Sequence, residues 1–333
     1  MKTILCAVMA TIGFFFVTNG FLEASSSFRL VSGGFGVSHS PIWAAYHQNI
    51  FKKHGLNVEY LAIESGSTAT QVLMAGEVQT LFSTGSVAVG ANLEGADLAI
   101  ITGGINFLHF KVIVRPEIKQ PEDLKGKAVG ISRFGSATEL AMQVALEKLG
   151  VNLKQVTMIQ AGGNTNRIAG LKGGAIYAAL LSEPHATIAT KTLGMKSLFN
   201  LGDIATPFPL NCFIIKRSYL NSNRANVVNF VKSVIEGLFT VLKDKALAVR
   251  LIKKYMRVDD EKAGIGYDVY VNEQGYGLLN LPDRRGLEFA ISLVAQLNPK
   301  ASGQTPESLR LLEPSVLDEI KKSGFVEKVK GNW

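Results

Sequence analysis

Apolar and polar positions follow one another in blocks that predict alternating strands and helices. Short apolar runs predict strands at residues 28–33, 58–63, 80–83, 98–102, 111–114, 127–132, 156–160, 178–181 and 213–215. Apolar residues near helical spacing predict helices at 41–54, 68–75, 87–93, 138–149, 165–171, 185–193, 225–242, 245–255, 259–270, 284–297 and 314–323. This alternation predicts an α/β protein whose strands are largely parallel.

The order of elements at 28–60 returns at 127–159: a strand, a Ser-containing loop, a helix, a glycine and a second strand. The repetition predicts two similarly built lobes. In open α/β sheets a ligand lies at the carboxyl ends of the strands. Two lobes that face each other would therefore enclose a ligand cleft at their junction.

The turn at 133–136 (RFGS) is the most informative local feature. It joins a buried strand to a helix over 138–149, which Gly150 ends. The first N–H groups of such a helix have no acceptor inside the helix, and the helix dipole favours negative charge there. The turn therefore predicts a seat for an anion, with an ordinary strand-to-helix turn as the alternative.

The start of the chain has the pattern of a secretory signal at residues 1–24. Lys2 is followed by an apolar run over 3–18 and then by small residues. Cleavage is expected after Ala24, with Gly20 as a second position. The run is short for a stable membrane span, although an uncleaved anchor stays an alternative. We expect an exported, periplasmic protein.

The cysteine count and the distribution of charge exclude some classes of protein. Cys212 is the only cysteine after residue 24, so an internal disulfide is excluded for the processed chain, and its apolar run (NCFIIK) predicts burial rather than catalysis. The formal net charge is +8, but the basic residues are dispersed and no aromatic side chains alternate with them. Nucleic acid is therefore a poor candidate for a partner.

Six segments resemble one protein family in order and spacing: IFKKHGL at 50–56, EDLKGKAVGI at 122–131, GSATE at 135–139, LEKLGVN at 146–152, LKGGAIYAALLSEPH at 171–185 and LGMKSL at 193–198. The chain resembles the periplasmic substrate-binding proteins of ABC importers. The similarity is to the branch shared by sulfonate, nitrate and taurine binders and the thiamine-pyrimidine-precursor proteins. It runs from about residue 28 to about residue 328.

The resemblance implies a type II periplasmic binding protein fold, in which each lobe has a mostly parallel sheet flanked by helices and the ligand cleft lies between them. Lobe one would comprise 28–112 plus 210–333, and lobe two 113–209. The lobes would hinge near 111–115 and 206–211, where prolines interrupt regular structure. Lobe closure would trap the ligand.

The resemblance also implies a receptor without catalysis. It would capture a small anionic or polar organic molecule, such as a sulfonate, a carboxylate or a pyrimidine-like compound, and deliver it to the membrane permease of an ABC importer. A monomer with no cofactor and no metal is expected. The alternative is an enzyme related to thiamine pyrimidine precursor synthesis, which would be expected to need iron ligands and a cysteine-rich patch.

Small polar residues at five helix starts, with Glu183 after a strand, are the candidate ligand contacts. The full set is His39, Ser40, Ser67, Thr68, Ser83, Thr84, Gly85, Ser136, Ala137, Thr138, Asn164 and Glu183. Each Ser or Thr has helix capping as its alternative role. Glu183 would favour a cationic or donor group on the ligand, or pair with Arg133 or Arg167.

The histidines do not form a metal site by spacing. His39 is expected at the rim as a hydrogen-bond donor, because no second His or Cys lies at a metal-ligand spacing. His47 and His54 are expected to face solvent from one helix.

Overall fold

The computed structural model describes residues 27–273 and 277–331, so the predicted signal at 1–24 lies outside the described residues. Within them, ten strands form two five-stranded sheets. The strands are β1 (Ser27–Gly33), β2 (Asn57–Ile63), β3 (Thr80–Ser83), β4 (Leu98–Thr102), β5 (Lys111–Val114), β6 (Ala128–Ile131), β7 (Thr157–Gln160), β8 (Ala178–Leu181), β9 (Lys196–Asn200) and β10 (Cys212–Lys216).

The two sheets share one topology. The first has the order β2-β1-β3-β10-β4 and the second β7-β6-β8-β5-β9. In the first sheet β1 pairs in parallel with β2 and β3, while β10 runs antiparallel to β3 and β4. In the second sheet β6 is parallel to β7 and β8, and β5 is antiparallel to β8 and β9. Each sheet is therefore mixed, with four strands in one direction and one reversed, and the repeat predicted from the sequence is confirmed.

Fourteen α-helices are present in the described residues. They are α1 (Ser40–His47), α2 (Ile50–Lys53), α3 (Gly66–Ala75), α4 (Ser86–Leu93), α5 (Ala137–Lys148), α6 (Asn164–Gly173), α7 (His185–Thr192), α8 (Arg217–Ser222), α9 (Arg224–Lys243), α10 (Lys245–Met256), α11 (Asp260–Glu273), α12 (Arg284–Ala295), α13 (Ser315–Lys322) and α14 (Phe325–Gly331). The sequence patterns missed β9, α8 and α14.

The single helix expected at 41–54 is wrong, because the chain forms α1 and α2 with a break between them. Asn49 has a φ of 55°, a left-handed conformation that an α-helix cannot continue through. The two histidines of this segment are also not simply solvent-facing. His47 Nε2 lies 2.9 Å from the Tyr255 hydroxyl, and His54 Nε2 lies 2.8 Å from Glu236 Oε2.

The core of the first sheet is built around α9, which packs on α1. Trp43 of α1 and Phe230 of α9 are fully buried in this cluster. By length and composition α9 could also cross a membrane, but much of its apolar surface lies inside the protein. Such burial is typical of an apolar helix that packs in a protein core.

Two segments connect the sheets, residues 103–110 between β4 and β5 and residues 201–211 between β9 and β10. They run side by side: Phe208 donates its backbone N–H to Asn106 (3.0 Å), and Asn211 donates to Ile105 (3.1 Å). The first connecting segment leads into β5 and the second into β10, and each of these is the reversed strand of its sheet. The first boundary predicted from the sequence, between residues 112 and 113, falls inside β5.

Cys212 lies in β10 with no exposed surface, as its apolar run predicted. Burial raises the pKa of its thiol far above the ordinary value. The thiolate is the nucleophilic form of cysteine, so Cys212 is unreactive near neutral pH.

Candidate ligand-binding cleft

A cavity of about 670 Å³ lies between the two sheets. Its walls come from the loops that follow β1, β2 and β3 on one side and β6, β7 and β8 on the other, with the two connecting segments and the α10–α11 loop completing it. All six loops leave the carboxyl ends of their strands. The cleft therefore has the position that sheets of this kind give to a ligand site.

Seven of the twelve candidate residues line this cavity: His39, Ser83, Thr84, Ser136, Ala137, Thr138 and Asn164. They come from four different loops, and the fold brings them together although they span 126 positions of sequence from 39 to 164. Ligand contact by each of them stays a prediction.

The other five candidates, Ser40, Ser67, Thr68, Gly85 and Glu183, do not line the cavity. Most have a partner elsewhere. Ser40 donates its hydroxyl to the carbonyl of Val37, and Gly85 donates its N–H to the carbonyl of Pro209. The Ser67 hydroxyl lies 2.9 Å from that of Ser65, which is a local contact of the kind expected at a helix start.

Glu183 forms an ion pair with Lys111 of β5, with Nζ and Oε1 2.7 Å apart. Its other oxygen accepts the backbone N–H of Thr187 at 3.0 Å. The sequence suggested Arg133 or Arg167 as the partner, and both suggestions are wrong. Position along the chain does not show that β5 and β8 are neighbours, which is what brings Lys111 to Glu183.

Arg167 was not among the candidates, although it is a buried charge in the cavity wall. It lies in the first turns of α6, is 4% exposed, and donates from Nη2 to Asn164 Oδ1 at 2.9 Å. Its Nε and Nη1 atoms have no hydrogen-bond partner among the described residues. Burial lowers the pKa of Arg167 to about 10, while the charge of Glu64 acts to raise it, so the side chain stays a cation at neutral pH.

The start of α5 presents a cluster of hydroxyl groups. The side-chain oxygens of Ser132, Ser136 and Thr138 lie 2.9 Å from one another. Ser136 donates its proton to the carbonyl of Arg133, and Thr138 accepts the backbone N–H of Ser132. The backbone N–H groups of Ala137 and Thr138 open the helix, where no acceptor inside the helix exists. The RFGS turn predicted a seat for an anion at this helix start, and that role stays a prediction.

His39 lies on the opposite wall and is buried instead of being at the rim. Its Nδ1 lies 3.0 Å from the carbonyl oxygen of Gly36. A carbonyl can only accept, so Nδ1 carries the proton and Nε2 is left as an acceptor when the ring is neutral. Nε2 has no partner among the described residues. Burial lowers the pKa of His39 to about 4, so the ring is neutral at physiological pH.

Two more histidines line the cavity and were not among the candidates. Burial lowers the pKa of His109 to about 4, and burial together with the nearby charge of Arg167 lowers that of His185 to about 4. The Nδ1 atom of each has no partner among the described residues. The side chains that line the cleft thus carry several polar atoms that have no hydrogen-bond partner within residues 27–273 and 277–331.

Glu64, which follows β2, connects the two walls. The backbone N–H of Gly163, next to the start of α6, donates to Glu64 Oε2 at 3.0 Å. The contact brings a carboxylate of the first wall to the second wall beside Arg167.

This architecture, two topologically matched α/β sheets with a cleft between their strand ends, is the periplasmic binding protein fold. The chain belongs to the NMT1/THI5-like family, whose model matches residues 37–246. No curated protein sequence matches the chain.

Solved structures share the fold at low sequence identity. The periplasmic nitrate-binding protein NrtA from Synechocystis PCC 6803 has a TM-score of 0.72 and 12% identity, over 90% of this chain and 89% of that one. The alkanesulfonate-binding protein SsuA from Xanthomonas axonopodis pv. citri, bound to MOPS, has a TM-score of 0.66 and 16% identity, over 87% and 96%. The Candida albicans CA3427 gene product, described as having the generic periplasmic binding protein fold, has a TM-score of 0.70 and 14% identity, over 88% and 94%.

Proposed function

We propose that this protein is an extracytoplasmic solute receptor. It captures a small organic anion, such as a sulfonate or a carboxylate, between its two lobes and delivers it to an ABC importer. The family membership and the similarity to nitrate-binding and alkanesulfonate-binding proteins support the receptor role. The proposed class of ligand, a small organic anion, is inferred from the charged and polar groups in the cleft of this chain.

The observation that carries the proposal is the buried cation of Arg167, which keeps two donors, Nε and Nη1, without a hydrogen-bond partner among the described residues. A buried guanidinium normally has carboxylate or carbonyl partners for its donors, because leaving a buried donor unpaired is costly. The Arg167 side chain lines the 670 Å³ cavity, and its Nε and Nη1 atoms are buried without such a partner in the described residues. The start of α5 adds N–H groups and a dipole of the same sign, whereas the N–H of Gly163 at the start of α6 already donates to Glu64. The second wall of the cleft therefore favours an anion at Arg167 and the start of α5.

Lobe closure is the mechanism of capture. We propose that residues 28–112 plus 210–333 and residues 113–209 move as two bodies about the paired connecting segments. A ligand that contacts both walls favours the closed state through its higher affinity for that state. The closed form would present the surface that the permease recognises, and we propose that the receptor acts as a monomer in the periplasm after removal of residues 1–24.

We propose a receptor rather than an enzyme, because nitrate-binding and alkanesulfonate-binding proteins share the fold. No cluster of three or more His, Cys, Asp or Glu side chains placed for a metal is found in residues 27–273 and 277–331. Cys212 is buried and has a raised pKa, so it offers no thiolate. We therefore propose that ligand is bound and released unchanged, and that retention is stoichiometric without turnover.

The test is mass spectrometry of the small molecules released when freshly purified protein is denatured. The wild-type protein and Arg133→Gln, which removes an exposed cation next to the cleft, should both release one small anion at near-stoichiometric amounts. Arg167→Gln should lose it, because a hydrogen bond to a charged group contributes about 1.5–3 kcal/mol, roughly tenfold or more in affinity. A neutral or cationic ligand, or an anion retained equally by Arg167→Gln, would overturn the proposal.

A further inference from the structure

Two side chains that line the same cavity from its two walls carry buried groups of opposite hydrogen-bonding type, and neither group has a partner among the described residues. Arg167 supplies donors from the second wall, and His39 supplies an acceptor, Nε2, from the first. Both side chains are more than nine-tenths buried, at 4% and 2% exposure. We propose that the ligand is bifunctional: besides the anionic group that meets Arg167, it carries a hydroxyl, amide or ring N–H that donates to His39 Nε2. This inference rests on the proposed function and specifies the ligand further.

The acceptor role of His39 follows from its surroundings. The Gly36 carbonyl fixes the ring proton on Nδ1, and rotation of the ring to reverse the roles would leave that carbonyl without this donor. Aromatic rings hold the imidazole in place: the ring of Phe82 lies at 5.0 Å edge-on, and that of Trp43 at 5.8 Å. Nε2 is therefore the ring nitrogen that is available to accept a hydrogen bond from a ligand.

The hydroxyl group of Thr84, also on the first wall, offers a second acceptor rather than a donor. Thr84 donates its proton to the carbonyl of Pro209 at 3.1 Å and lies 3.2 Å from the Ser86 hydroxyl. Its oxygen is thus also left in an accepting role. His39 Nε2 and the Thr84 oxygen are thus acceptors on the first wall, and Arg167 supplies donors on the second. A ligand with an anionic end and a donor end would complement these groups.

The same pattern discriminates against simple inorganic anions. An ion such as nitrate has no proton to donate at neutral pH, so it would pair with Arg167 and leave His39 Nε2 buried and unpaired. A site that is built to hydrogen-bond a ligand group selects against analogues without that group.

The experiment compares matched probes by calorimetry: ethanesulfonate with 2-hydroxyethanesulfonate, benzenesulfonate with 4-hydroxybenzenesulfonate, and benzoate with 4-hydroxybenzoate. The wild-type protein should prefer the hydroxylated member of at least one pair by about tenfold, the scale of one hydrogen bond that satisfies a buried acceptor. His39→Phe should bind both members of that pair within about twofold. His39→Gln, whose amide oxygen can replace Nε2 as an acceptor, should keep part of the preference.

The outcomes separate the two proposals. Equal affinity within every pair for the wild type, or an unchanged preference in His39→Phe, overturns the donor inference, while loss of all binding in Arg167→Gln would still support the anion site. Sulfonates and carboxylates that bind Arg167→Gln as well as the wild type, or that fail to bind the wild type at all, overturn the proposed function and this inference together. The comparison of probes on the wild type does not depend on the folding of any variant.

Discussion

Gly163 donates its backbone N–H to Glu64 across the cleft, at 3.0 Å from Oε2. This contact joins the loop after β2 to the start of α6, so it links the two walls without any ligand. We expect it to hold the ligand-free receptor partly closed. Glu64→Ala should shift the equilibrium toward the open form by about 1 kcal/mol, or roughly fivefold, the scale of one hydrogen bond.

Small-angle X-ray scattering measures this shift as a larger radius of gyration of the ligand-free variant. Glu59→Ala is the matched control, because Glu59 is an exposed carboxylate of β2 whose hydrogen bond to Ser27 stays on its own sheet. An equal radius of gyration for Glu64→Ala and Glu59→Ala would show that the contact does not contribute to closure.

The start of α5 can be tested by removing one backbone donor. In Ala137→Pro the first N–H group of the helix is lost, and a proline at this position is compatible with the fold. The preceding residue, Ser136, already has ψ of 164°, as a residue before proline requires. We expect ligand affinity to fall by about tenfold or more with little change in stability.

Arg284→Pro is the control for Ala137→Pro, since it makes the same change at the first position of α12, where the preceding Asp283 has ψ of 160°. Calorimetry with the released ligand or a binding sulfonate measures both variants. Unchanged affinity in Ala137→Pro would mean that the anion does not use this helix start.

The packing of α9 on α1 depends on a glycine. A Cβ atom at Gly237 would overlap the backbone carbonyl of Pro41, and backbone cannot move aside as a flexible side chain can. Gly237→Ala should therefore destabilise the protein by about 1–3 kcal/mol or more. Gly264→Ala, inside α11 where the added Cβ meets nothing within 4 Å, should instead stabilise by up to about 1 kcal/mol. Thermal unfolding measures the midpoint of each variant, which should be lower for Gly237→Ala than for Gly264→Ala. Similar midpoints would contradict the close contact between Gly237 and Pro41.

The buried histidines of the cleft predict a specific pH dependence. The pKa values of His39, His109 and His185 are lowered from an ordinary 6.5 to about 4. Between these values the unfolded chain binds protons that the native protein does not, so stability should fall as pH falls from about 6.5 toward 4. The ring resonances of the three histidines in NMR spectra should not titrate between pH 8 and pH 5. Titration of all three near pH 6.5 would contradict their burial as neutral rings.

Export is the fifth prediction and concerns residues outside the described ones. The basic start, the apolar run at 3–18 and the small residues after it predict cleavage near Ala24. N-terminal sequencing of protein from the envelope fraction should begin near Ser25. A membrane-bound chain that keeps Met1 would favour the uncleaved anchor instead.

The sequence alone determined the elements that have strong local signals. The bounds of β3, β4, β5 and β8 agree with their apolar runs, because these strands are buried on both faces and read as continuous apolar segments. Likewise, the RFGS turn marked the start of α5 because glycine and serine have specific roles at helix starts. β9 was missed since it is a half-exposed edge strand whose side chains have no clear pattern.

Only the tertiary structure decided how the site is completed. Arg167 looks like an ordinary helical arginine in the sequence. Its burial, with Nε and Nη1 left without a hydrogen-bond partner among the described residues, depends on where α6 faces the cleft. The pairing of Lys111 with Glu183 requires the reversed strand β5 to lie beside β8. Local patterns report propensity and periodicity, whereas these relationships arise from contacts between segments distant in sequence, which the order of strands in the sheets and the crossing of the chain determine.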